Sequence, residues 1–156
     1  MKASEIVRII VIAIVGALIA FWLQPWLYER GIIGISDVPV DAWIQNDYMT
    51  GAAIVFGVSV VCTLLWYVLA ARANIRDTRD AQPWAVVWWV LFLFPVLSIC
   101  VALYFFNRSQ QALLSLTGFF VFDILFLYWL STATSSPKDL KYAPPGAFLL
   151  RRIIGD

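Results

Sequence analysis

The sequence predicts an all-α integral membrane protein with four transmembrane helices and a short amphipathic tail, and three observations predict it. Apolar residues make up 62% and charged residues 13% of the 156 residues, and the mean hydropathy is +0.83, beyond the roughly half-apolar content of soluble domains. Four apolar stretches reach the ~20 residues that cross a hydrocarbon core of about 30 Å. The basic residues fall mostly on one side of the bilayer once those stretches are taken to alternate across it. Four such spans leave no room for a soluble catalytic domain.

The first span is expected over about 5–24, through IVRIIVIAIVGALIAFW, with Lys2 ahead of it. No small-x-small cleavage site follows the apolar run, so it reads as a retained helix rather than a signal peptide. The second is expected over 51–71, the third over 84–106 and the fourth over 112–131. Pro83 stands where the third helix begins, a position that tolerates proline because first-turn N–H groups lack an intrahelical acceptor. Pro95 lies inside that helix and is expected to bend it. Residues 1–134 form the four-helix domain in this reading, and 135–156 a linker and tail.

Orientation follows from the bias of Lys and Arg toward cytoplasmic segments. Lys2, Arg8, Arg72, Arg76, Arg79, Lys138, Lys141, Arg151 and Arg152 fall on one side, nine of the 11 basic residues; Arg30 and Arg108 fall on the other. Both termini are therefore expected to be cytoplasmic, in a bacterial inner membrane or another energy-transducing membrane.

The longest connection, 24–50, carries Trp26, Tyr28, Trp43 and Tyr48, amphipathic aromatics that settle at headgroup level. It reads as an interfacial cap. Asp41 is expected to cap a short helix leading into the second span. A cation site with Asp37 and Asp47 is the alternative, although the spacing matches no calcium loop. In the loop ARANIRDTRDAQPW, Arg72, Arg76 and Arg79 form a cluster suited to anionic lipid headgroups or an acidic partner, or simply a solvated topogenic loop. After the fourth span, SSPKDLKYAPPG resembles a semi-stiff linker. In AFLLRRIIGD, helical spacing sets Ala147, Leu150, Ile153 and Ile154 on one side, away from Arg151 and Arg152. That tail suits a membrane surface or a partner's groove.

The chemistry begins with absences. No histidine is present, which removes the commonest general base and metal ligand. Cys62 and Cys100 lie in different spans without C-x-x-C spacing, and no phosphate loop, Gly-x-Ser-x-Gly or His-Glu-x-x-His pattern occurs. Neither an enzyme nor a cofactor or metal site is expected.

Asp123 is the exception. An aspartate at a helix centre costs about 2.5–3.5 kcal/mol on insertion scales, so it is expected to face a bundle interior or a subunit interface. No Lys or Arg lies at its depth, and burial without a cation favours the neutral acid. Its candidate partners are Ser59, Cys62 or Thr63 on the second span, Ser98 or Cys100 on the third, or a neighbouring subunit. It suits either a proton or ion path or a polar tie between helices.

Small residues four apart, Gly16 with Ala20 and Ala53 with Gly57, mark close helix approaches. Trp66, Trp88, Trp89 and Trp129 suit interfacial anchoring or a pocket for a flat apolar ligand such as a quinone or carotenoid. Two function classes remain open alongside such a ligand binder. One is a non-enzymatic subunit or assembly component of a larger membrane complex, with lipid and other membrane subunits, or copies of itself, as partners and no nucleic acid. The other is a small oligomeric channel or transporter built on Asp123.

Overall fold

The computed structural model describes residues 3–73, 81–136, 140, 143–148 and 150. Four helices in it are long and apolar enough to cross a membrane: α1 (Ser4–Glu29), α2 (Val40–Ala71), α3 (Gln82–Phe106) and α4 (Leu113–Ser135). No strand occurs among the described residues. The protein is thus an all-α membrane protein.

Two boundaries lie well outside the predicted ones, and a proline stands near each. Pro25 lacks the N–H that would continue an α-helical ladder, yet α1 passes through it to Glu29. The helix accommodates it by widening into a π-helical turn at Ile19–Leu23, where the Gln24 N–H reaches the Ile19 carbonyl. At the other side of the connection, Pro39 has extended backbone and starts α2 at Val40 rather than near residue 51. The N-cap position is therefore Pro39, not Asp41; Asp41 sits in the first turn, where a carboxylate complements the helix dipole. The true loop shrinks to residues 30–39. Gly31 closes α1 with φ +68°, a conformation costly for other residues, and its N–H bonds the Tyr28 carbonyl at 3.0 Å.

Two further π-helical turns interrupt the spans, at Ile44–Tyr48 in α2 and Leu125–Leu130 in α4. Helix α3 continues through Pro95, whose carbonyl accepts the Ser98 hydroxyl at 2.6 Å.

Helix α2 packs against each of the other three, while α4 also contacts α1 and α3. The core between them is aromatic: Tyr28, Tyr48, Trp66, Trp88, Phe120 and Tyr128 are all buried. Apolar side chains cover the outside as well, among them Val11, Leu18, Val61, Leu97 and Phe122, as hydrocarbon requires. The two small-residue notches have different fates. A methyl group at Gly16 would collide with Leu127, so this notch is where α1 meets α4. Gly57 faces open space. It lies with Ala53, Val61 and Phe94 along an apolar groove of about 520 Å³ between α2 and α3.

Beyond α4, Leu140, Ala143 and Ala147 are buried, and the Trp129 indole N–H donates to the Pro145 carbonyl at 2.8 Å. This segment is folded against the end of the bundle. Leu150 is partly buried there, whereas Ile153 and Ile154 lie outside the described residues.

Candidate functional site

Asp123 lies inside the bundle, 3% exposed. Its Oδ1 accepts a 2.8 Å hydrogen bond from the Gln24 side-chain amide. The Gln24 Oε1 in turn lies 2.7 Å from the Tyr48 hydroxyl, which also lies 2.6 Å from the Ala20 carbonyl. The single proton of the Tyr48 hydroxyl is shared between the Ala20 carbonyl and the Gln24 side-chain oxygen. The result is a polar clamp that joins α4 through Asp123, α1 through Gln24 and Ala20, and α2 through Tyr48.

Local backbone geometry creates the last acceptor. In the π turn the Gln24 N–H is taken by Ile19, so the Ala20 carbonyl loses its normal donor. The next residue, Pro25, has no N–H to offer. Tyr48, wholly buried, supplies a hydroxyl instead. At the end of the α4 π turn the Ser131 N–H tightens onto Tyr128, three residues back, rather than Leu127, and the Leu127 carbonyl accepts the Thr63 hydroxyl from α2 at 3.1 Å. In α1 and α4 a carbonyl released from the helical ladder thus takes a hydroxyl from α2.

The predicted partners of Asp123 are occupied elsewhere. Ser59 donates to the Val55 carbonyl at 2.7 Å, Ser98 to Pro95, and Thr63 to Ser59 as well as Leu127. Cys62 is buried and Cys100 exposed, both as free thiols. Gln24 and Tyr48 were legible only as members of an interfacial loop. The available signal was the glutamine itself, a polar residue with a side-chain amide one position before proline at the end of an apolar run.

Toward the chain termini the ties are indole and hydroxyl bonds. Trp66 donates to Ser136 Oγ at 2.8 Å and Trp88 to Thr132 Oγ1 at 2.9 Å, while the Tyr128 hydroxyl donates to the Trp88 carbonyl at 2.8 Å. Arg8 donates to the Thr134 carbonyl at 3.1 Å. Trp66 and Trp88 are therefore interior struts; Trp89 is half exposed, and none of the four tryptophans lines the α2–α3 groove.

At the opposite end, the loop before α2 grips the loop before α4. The Ser109 hydroxyl donates to Asp37 Oδ1 at 2.7 Å, and the Gln111 N–H donates to Oδ2 at 3.2 Å. These bonds, the serine's first, hold the Asp37 carboxyl below the usual carboxylate range. Ser109 Oγ also accepts the Ala112 N–H at 3.1 Å, in the turn that leads into α4. Trp43 donates to Asn107 at 3.2 Å. Asp47, 7% exposed, meets Arg108 rather than Asp37 or Asp41.

Of the basic residues singled out above, Arg72 is exposed at the end of α2. Arg76, Arg79, Arg151 and Arg152 lie outside the described residues. No group of three His, Cys, Asp or Glu side chains close enough to share a metal ion occurs among the described residues. No known protein family, curated protein or solved structure matches the chain.

Proposed function

We propose that this chain is a non-enzymatic membrane subunit, an assembly or scaffold component of a larger membrane complex, with both termini on the cytoplasmic side. The observation that carries this reading is the amide between Asp123 and Tyr48. A proton path needs groups that accept a proton on one side and release one on the other. A carboxamide holds its N–H and C=O on different atoms, so it ties the carboxyl to the phenol without relaying between them. The intramembrane carboxyl thus serves as a helix tie, a role compatible with assembly, and the amide offers it no relay to Tyr48.

The outer faces support the same reading. On α1, Val7, Ile10, Val11, Ile14 and Leu18 are exposed at helical spacing, a stripe suited to hydrocarbon or a partner span. The uneven distribution of basic residues supports cytoplasmic termini.

Tagged protein purified from its native membrane in mild detergent tests the proposal. A fixed stoichiometry with other membrane proteins is expected, and it should persist in Asp123→Asn. A homo-oligomer that conducts protons or cations in reconstituted vesicles, and stops doing so in Asp123→Asn, would replace this reading with the transport one.

A further inference from the structure

The loop end of the bundle contains a small pocket beside the Asp47–Arg108 pair. It is a cavity of about 110 Å³. Val38, Pro39 and Ala42 give it apolar walls, and Asp47 and Arg108 contribute opposite charges. The Asp47 side chain is only 9% exposed, whereas that of Arg108 is 80% exposed, and they meet through a single approach of Arg108 Nε to Asp47 Oδ1 at 3.5 Å. That distance is longer than a charge-assisted hydrogen bond, typically about 2.7–2.9 Å. The Asp47 oxygens keep some contact with water, and the exposed Arg108 guanidinium meets them at that one long contact. The pocket is thus an anionic floor with an apolar wall and a cationic rim.

We infer that this pocket binds a phosphoethanolamine-type headgroup, with its primary ammonium on Asp47 and its phosphate on Arg108. The three N–H donors of an ammonium suit the buried carboxylate, and the two methylenes that follow suit the Val38, Pro39 and Ala42 wall. Moving toward the phosphate, Arg108 exchanges one long contact for a fork that matches phosphate oxygens. The lipid-borne headgroup is neutral overall, as the Asp47–Arg108 pair is, so both sets of charges are compensated on binding. Size agrees: at about 110 Å³ the pocket is smaller than the ~150 Å³ cavity that takes a benzene, which suits a two-carbon ammonium with the phosphate outside at the rim. Position agrees too, because the pocket sits at the first turns of α2, where a span leaves the hydrocarbon. The same headgroup exists on membrane phospholipids and as a free phosphomonoester, and the experiment separates the two.

Full-length protein in detergent is exposed to phospholipids of matched acyl chains bearing ethanolamine, choline or glycerol headgroups, and retained lipid is read by native mass spectrometry. Retention of the ethanolamine lipid is expected to exceed that of the other two about tenfold, the scale of one well-formed charged hydrogen-bond set. Trimethylation removes the N–H donors, and glycerol removes the cation. Asp47→Asn should bring the preference close to unity, and Arg108→Gln should lower retention of the ethanolamine lipid, with melting temperatures checking that both variants fold. The wild-type comparison stands even if Asp47→Asn does not fold. Displacement of the retained lipid by millimolar free phosphoethanolamine means that the headgroup alone suffices; preference without displacement assigns the site to membrane lipid. Equal retention of all three lipids by the wild type with no displacement, or a preference for the glycerol lipid, overturns the inference.

Discussion

An amide, not a cation, meets Asp123, and this decides what each substitution there does. Asparagine keeps an oxygen for the Gln24 N–H, whereas leucine leaves that buried donor unpaired. Asp123→Asn is therefore expected to fold and assemble nearly as the wild type does. Asp123→Leu should lose about 1–2 kcal/mol of stability, the upper range for side-chain hydrogen bonds within membranes, as read by denaturation in micelles. Asp37 gives a pH-dependent counterpart outside the membrane. Its carboxyl is held low by Ser109 and Gln111, so its stabilising contribution is present above the ordinary carboxylate value and is lost as pH falls through the lowered folded value. The melting-temperature gap between wild type and Asp37→Asn should be constant above the ordinary carboxylate range and close as pH falls through the lowered folded value. A gap that widens in acid would contradict the assigned bonds. At this scale the sequence exposed one half of the site. Asp123 stands out because a carboxylate in an apolar run has no ordinary explanation, but Gln24 and Tyr48 do not, because the stretch 24–50 reads as an interfacial connection rather than as helix. A π turn that absorbs a proline leaves no simple periodic signal.

Spans were legible as elements because length and hydropathy are properties of whole segments; their ends were not, because they depend on backbone detail at Pro25, Pro39 and Gly31. The small-residue pairs illustrate the same limit. Spacing marked Gly16 and Gly57 alike, yet only Gly16 has a neighbouring helix against it, the other opening into the α2–α3 groove. Gly16→Ile should force α1 off Leu127 and cost about 1–3 kcal/mol. Gly57→Ala should change stability by no more than about 0.5 kcal/mol. Comparable losses in both variants, measured by thermal aggregation in detergent, would show that the Gly57 face is covered.

For the molecule as a whole, helix number and class follow from composition, whereas the way the four helices join depends on contacts that no single-span pattern contains. Helix α2 is central because its polar side chains reach both neighbours that carry π turns: Tyr48 toward α1 and Thr63 toward α4. Orientation rests on the basic residues, and it predicts that a cysteine at position 33 is labelled from outside the cytoplasm and one at position 73 from within, in a Cys62→Ser, Cys100→Ser background. The reverse pattern would invert the proposed topology. The central claim is that Asp123 serves as a tie between helices through Gln24. A double-mutant cycle on Asp123→Leu and Gln24→Leu, read as unfolding free energy in lipid bicelles, tests it most directly. A coupling of about 0.6–1.7 kcal/mol is expected. Strict additivity of the two substitutions, within about 0.3 kcal/mol, would contradict it.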